Sequence, residues 1–341
     1  MQELRETIEG LRGLDKFQAV SATVRRGGTL HVGGLYGSSP SFLLAALAPD
    51  VRGTLLVAAP GMREARVLHE DVKTFFGWEA AILFPPWESD VPEGGDAETL
   101  TFTRRLAVLC RFISGDAPPV VVAPVRALAQ DVVPPEAVRK NTRWIRTGED
   151  LDLQTFLPWL ENRDLKRVPM AETNGEWSLR GSILDIFPYS SARPFRIELF
   201  GDTVDSIREY DPEDQMSVRR LEACRITLIQ RRRFLKPGRR GQAATLLDYL
   251  GKGSVCVVVE PEKIESRVND DFQRTGRARL PLSWEGFVKE AARFPRLFLT
   301  ALPHDPGADG VDFAIRSVHR ATPGIDGVLG GFRELIKKKR S

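Results

Sequence analysis

The residues best placed to do chemistry lie early in the chain. A short apolar strand, Leu30 to Val32, runs into the turn GGLYGSSPS and then into a segment with helical spacing from Ser41 to Leu47. Strand, glycine turn and helix in that order is the setting of a phosphate-binding loop. Such a loop wraps backbone N–H groups around the phosphates and adds a lysine for the β and γ oxygens and a hydroxyl for magnesium. Laid on G-x-x-x-x-G-K-[ST], Gly34 and Ser41 match, Gly37 falls inside the turn, the second glycine is Ser39 and the lysine is Pro40. Proline removes one cradling N–H and carries no charge, so efficient ATP hydrolysis is not expected. The plainer reading is a serine-rich turn starting a helix, with Ser38 or Ser39 as N-cap and Pro40 at the first helical position.

The remaining parts of a motor are not legible. No DEx[DH] run follows an apolar strand, and no GxSxG elbow occurs. His31, His69, His304 and His319 form no HxH or HxxxH pair, and Cys110, Cys224 and Cys256 show no CxxC spacing. An odd, sparse cysteine count argues against a disulfide framework or zinc site and suits a reducing cytoplasm. No catalytic residue and no metal site is expected.

A different pattern sits in FRIELF. With period two, Phe195, Ile197 and Leu199 share one sheet face, and Arg196, Glu198 and Phe200 share the other. A phenylalanine beside an arginine on a polar face is the composition of an interface anchor. Arg180, just before the neighbouring strand, is placed to join them. The alternative is that Phe200 tucks under the hairpin turn while both arginines pair with Glu198 or Asp185. A further basic cluster, QRRRFLKPGRRG, offers Arg231, Arg232, Arg233, Arg239 and Arg240 either as a solvated linker or for contact with a DNA backbone.

The elements that must position these residues fall into three stretches. Residues 1–135 alternate apolar strands (Leu30–Val32, Thr54–Ala58, Ala81–Phe84, Val120–Ala123) with helical stripes (Met62–Phe76, Thr99–Ile113). That is the signature of a parallel sheet covered on both faces. In the Met62–Phe76 stripe, Val67, Leu68, Val72, Phe75 and Phe76 carry the apolar spacing. Residues 136–226 change to short alternating strands, with Gly201 and Asp202 as a hairpin turn. Residues 227–325 return to α/β, which implies either two separate units or one sheet interrupted by an insertion. Residues 326–341 form a basic tail.

The chain of 341 residues is 42% hydrophobic and 28% charged, with a net charge of +3. That is ordinary globular composition with no global field directed at nucleic acid or membrane. It holds no apolar run long enough to span a bilayer and no signal core.

These residues together resemble a known family. EWSLRGSILDIFPYSSARPFRIELFGDTVDSIREYDPEDQMS, and before it LFPPWESDVPEGGDAETLTFTRRLAVL, are similar to the N-terminal module of transcription-repair coupling factors, itself similar to the excision subunit UvrB. The resemblance implies a UvrB-like module, with a degenerate phosphate-loop α/β domain split around a small antiparallel α+β domain. Pro40 places the chain with the coupling factors, because UvrB keeps an intact loop. Pro92 to Glu98, where UvrB carries a damage-probing hairpin, holds no Tyr or Phe. The resemblance further implies a non-catalytic, monomeric, cytoplasmic adaptor that docks UvrA through Arg180, Arg196 and Phe200. RNA polymerase and DNA are reached through the longer protein, whose motor domains use the ATP and magnesium; this module needs no cofactor. Arg196→Ala and Phe200→Ala are both expected to leave folding intact. Rival readings are a nucleotide hydrolase working through Ser41 and a DNA-binding module working through the 231–240 arginines.

Overall fold

The computed structural model describes residues 2–77, 81–87, 96–163, 165–230, 244–275, 282–304 and 310–315. The five arginines between 231 and 240, the stretch 88–95 and the basic tail lie outside the described residues. The chain divides into two compact units, one of Met1–Trp87, Asp116–Asp131 and Thr245–Ser341, the other of Glu88–Gly115 and Val132–Ala244.

The first unit begins with helices α1 (Gln2–Arg12) and α2 (Asp15–Arg26). Its sheet uses β1 (Thr29–Gly33), β2 (Leu55–Ala59), β3 (Ala81–Leu83) and β4 (Val120–Pro124) from the first α/β stretch. From the later stretch it takes β13 (Val255–Val259), β14 (Arg296–Leu299) and β15 (Gly310–Asp312). The order is β15-β1-β14-β13-β2-β4-β3, with all pairings parallel. Strands β2, β4 and β13 are buried along their whole length, which is why they read as unbroken apolar runs. Of the two arrangements open from sequence, one interrupted sheet is the one found.

Helix α3 (Ser39–Leu47) is buried throughout. Helix α4 (Met62–Phe76) buries Ala65, Leu68, Val72 and Phe75 at helical spacing and stops at Gly77, whose φ of 115° ends the helical path. Val67, expected in that stripe, is exposed, and Ala65 takes the inward place one turn before Leu68.

The second unit holds α5 (Asp96–Ile113), α7 (Pro135–Lys140) and α8 (Leu153–Glu161); the short α6 (Val125–Leu128) belongs to the first. The boundary drawn at 135 therefore shifts. Glu88–Gly115 joins the second unit, because Arg225 Nη1 donates to the Cys110 carbonyl of α5 and α5 packs on α7. An amphipathic helix carries no mark of which sheet it serves.

Strand β5 (Thr142–Arg146) pairs antiparallel with β12 (Ala223–Thr227). The main sheet comprises β6 (Lys166–Arg167), β7 (Glu176–Arg180), β8 (Ile183–Phe187), β9 (Phe195–Phe200), β10 (Thr203–Tyr210) and β11 (Ser217–Leu221), in the order β11-β10-β9-β8-β7-β6. From β7 to β11 every pairing is antiparallel. Trp177, Leu184, Ile186, Phe195, Ile197, Leu199, Val204 and Ile207 face a core shared with Phe156, Trp159 and Leu160 of α8. The start of α8 is fixed by Asp152, whose carboxylate accepts the Gln154 N–H at 2.9 Å. Helices α9 (Pro261–Thr275) and α10 (Trp284–Ala291) complete the first unit.

Candidate functional site

The β9 alternation sorts as its residues dictate: Phe195, Ile197 and Leu199 are buried, Arg196 and Glu198 are half-buried, and Phe200 is 83% exposed. Phe200 ends the strand at the hairpin turn, with Thr203 as its partner on β10. Gly201 opens the two-residue connection at a φ of 63°, a conformation that favours glycine over residues with a Cβ. Phe200 thus stands in solvent instead of tucking under the turn.

The arginines behave differently. Asp185 of β8 lies between β7 and β9, opposite Ser178 and Arg196, and is fully buried. Arg196 contacts it twice, Nε to Oδ1 at 2.8 Å and Nη2 to Oδ2 at 3.0 Å, and Arg180 Nη2 reaches Oδ2 at 2.7 Å. Arg196 also lies 4.3 Å above the Tyr210 ring and donates to the Gln215 side-chain oxygen at 3.0 Å. Its hydrogen bonds to Asp185 push its pKa further above the usual range. The Tyr210 hydroxyl donates to the Ala171 carbonyl at 2.8 Å, and burial pushes its pKa well up.

The pairing with Asp185, weighed as an alternative, is thus what the arginines do. Arg180 and Arg196 retain 41% and 16% side-chain exposure and lie on the same outer face as Phe200. Beside them, Glu198 accepts from Ser206 Oγ at 2.9 Å and from Arg208. Those hydrogen bonds outweigh partial burial and hold its carboxyl below the ordinary value. The result is an outer face with an open aromatic ring at one end and guanidiniums held by internal carboxylates.

At the glycine-serine turn three backbone donors are already committed. Gly34 N–H donates to the Leu302 carbonyl and Leu35 N–H to the Thr300 carbonyl, each at 3.1 Å, while Ser39 N–H closes on Tyr36. The Gly34 carbonyl accepts from Ile315 N–H at 3.0 Å. Ser38 takes the N-cap place, but its side chain caps no helix N–H. Ser38 and Ser41 instead direct their hydroxyls at Asp71 of α4, with Ser41 Oγ 3.4 Å from Oδ2. Burial raises the Asp71 pKa, and the two hydroxyls only partly offset it. Ser39 Oγ is buried without a hydrogen-bond partner among the described residues. Pro40 is the second residue of α3, one place later than expected. A carboxylate thus stands where a phosphate-binding helix would present hydroxyls to its anion.

Other constellations stay quiet. Sequence separation hid that His31 and His304 stack at 5.3 Å, with Phe298 on the other partner side of His31 at 4.8 Å. Among the described residues no group of three His, Cys, Asp or Glu could hold a metal ion. All three cysteines are free and buried, and burial pushes Cys224 and Cys256 up to about 12, leaving thiols too weakly acidic to act as nucleophiles. No described helix is long and apolar enough to cross a membrane.

Sequence reasoning offered Asp185 only as an alternative partner of the arginines, and missed Tyr210 as the platform of Arg196 and Asp71 at the turn. For Asp185 a signal existed: an acid in an otherwise apolar strand, ILDIF, requires a buried partner.

Fold and site together give a sheet whose outer face carries an open aromatic ring and ordered guanidiniums. Residues 144–229, which run from within β5 past the end of β12, match the UvrB interaction domain. Over a longer span the chain is similar to the transcription-repair-coupling factor of Bacillus subtilis (strain 168), 32% identical over 193 residues, 57% of this chain and 16% of that protein. It is 30% identical over 213 residues to the transcription-repair-coupling factor of Myxococcus xanthus, 61% of this chain and 18% of that protein. The Staphylococcus aureus (strain Mu50 / ATCC 700699) factor is 31% identical over 211 residues, 62% and 18% of the respective chains. The resemblance stated from sequence holds, and this chain spans less than a fifth of each of these relatives.

Proposed function

We propose that this chain is the adaptor module of a transcription-coupled DNA repair factor, one that recruits UvrA of nucleotide excision repair to lesion-stalled RNA polymerase. The carrying observation is Phe200, 83% exposed at the end of a core strand inside the matched UvrB interaction domain. An open aromatic beside guanidiniums is the physical make-up of a binding hot spot. Arg180 and Arg196 share its face in fixed orientations, because Asp185 holds both and Tyr210 underlies Arg196 before any partner arrives. Pre-ordered side chains lose little entropy on binding.

The module does no chemistry in this reading. The turn around Gly34, Gly37, Ser39, Pro40 and Ser41 is a phosphate loop out of use, supported by the committed N–H groups of Gly34, Leu35 and Ser39 and by Asp71. ATP, magnesium and DNA belong to other parts of the longer factor, and the fold is UvrB-like in a cytoplasmic setting.

The test uses the full chain with purified UvrA. Retention of UvrA by immobilised wild-type chain and its loss on Phe200→Ala, with no magnesium-dependent ATP turnover in either, supports the adaptor. Equal retention by both, or turnover abolished by Ser41→Ala, removes it.

A further inference from the structure

The outer face of the β sheet carries a row that folding alone does not explain. The register sets Arg196 of β9 opposite Arg208 of β10, and Arg208 opposite Arg220 of β11. Directly opposed side chains sit about 5 Å apart at Cβ, and like charges there destabilise a sheet. Two of the three are offset from within, Arg196 by Asp185 and Arg208 by Glu198. Arg220 is exposed and makes no ion pair among the described residues, while its neighbour Arg219 is spent on Glu209 at 3.1 Å. Two acids of the preceding turn bond their own backbone, Asp211 accepting Glu213 N–H at 2.9 Å and Asp214 accepting Met216 N–H at 2.8 Å, while Glu213 is exposed. The face therefore carries Lys166, Arg180, Arg196, Arg208 and Arg220 against Glu176, Asp185 and Glu198, a surplus of positive charge.

Strand β11 is also the sheet edge, and its first four residues are exposed among the described residues; Val218, left unpaired by the register shift next to Arg219, is one of them. A local rule broken without internal compensation marks a functional surface. We propose that the row ending on Arg220 extends the docking surface from Phe200 to the β11 edge and receives a carboxylate-rich patch of the partner. The proposal rests on the adaptor reading and specifies its partner's chemistry. Arg220, the uncompensated member, supplies steering and selectivity, since exposed charges at an interface rim act on encounter rate and salt dependence.

The experiment measures UvrA binding to the full chain across a sodium chloride series for wild type, Arg220→Glu, Arg220→Lys and Phe200→Ala. Arg220→Glu is expected to weaken binding at least about tenfold at low salt, with the gap to wild type narrowing as salt screens the contact, while Arg220→Lys stays near wild type. Thermal denaturation controls for folding: Arg220→Glu relieves the like-charge row and should match or exceed wild type. Unchanged binding by Arg220→Glu beside a loss on Phe200→Ala overturns the extension and leaves the adaptor standing. Unchanged binding by both removes the two together. Loss of duplex-DNA retention by Arg220→Glu with UvrA binding intact assigns the row to phosphate and overturns the proposal.

Discussion

Arg196 grips Asp185 at two points, 2.8 Å and 3.0 Å, and Asp185 has no solvent exposure at all. The pair binds β8 to β9 from the outer face, so the side chain assigned to docking also holds the sheet.

That relationship revises the expectation that Arg196→Ala leaves folding intact. Removing the Asp185 carboxylate strands one partly buried guanidinium and frees another, and breaking a buried pair from one side costs roughly 3–5 kcal/mol. Asp185→Ala should lower unfolding stability by about that amount in urea. Arg196→Ala should cost clearly more than Arg180→Ala, because Arg180 alone keeps one contact where Arg196 makes two. Equal midpoints for the two arginine variants would contradict this arrangement.

Two glycines of the serine turn separate sterics from strain. Both have positive φ, 69° at Gly34 and 61° at Gly37. A Cβ on Gly34 would lie 2.3 Å from Asp312 Oδ1 and 2.6 Å from the Ala314 amide nitrogen, whereas one on Gly37 meets nothing within 4 Å. Gly37→Ala should cost only left-handed strain, roughly 1–2 kcal/mol. Gly34→Ala should cost clearly more, as a lower melting temperature, because backbone must move.

Asp71 gives a pH test. Its folded pKa is raised above the ordinary 3.8, by burial against the opposing Ser38 and Ser41 hydrogen bonds. A carboxyl with a raised folded pKa favours the native state fully below its unfolded value, and that favour is lost as pH rises through the folded value. At neutral pH the charge is therefore a cost. Asp71→Asn, which keeps an acceptor for both hydroxyls, should raise the melting temperature by roughly 1–3 °C at pH 7. The gain should vanish below about pH 3.8. A constant gain at all pH values would show that the charge is not its source.

The parallel sheet was legible because buried strands such as VCVVV and LLVAA leave no polar residue to mistake. The split of the outer and inner faces of β9 was legible from period two alone. The choice between Asp185 and Glu198 as the arginines' partner was not, because Asp185 reaches them across two strand pairings that only the register fixes. Nor was the row through Arg220, which needs the bulge between Val204 and Ser206 to bring Arg208 opposite Arg196. Asp71 stayed hidden for the same reason: it meets Ser41 from another helix, thirty residues on.

The most direct measurement is the dissociation constant of the full chain for UvrA, wild type against Phe200→Ala, by titration calorimetry. A ring this exposed contributes nothing to the core, so the account predicts an unchanged melting temperature and affinity weakened at least about tenfold, the scale of a lost aromatic anchor. Equal affinities would contradict it.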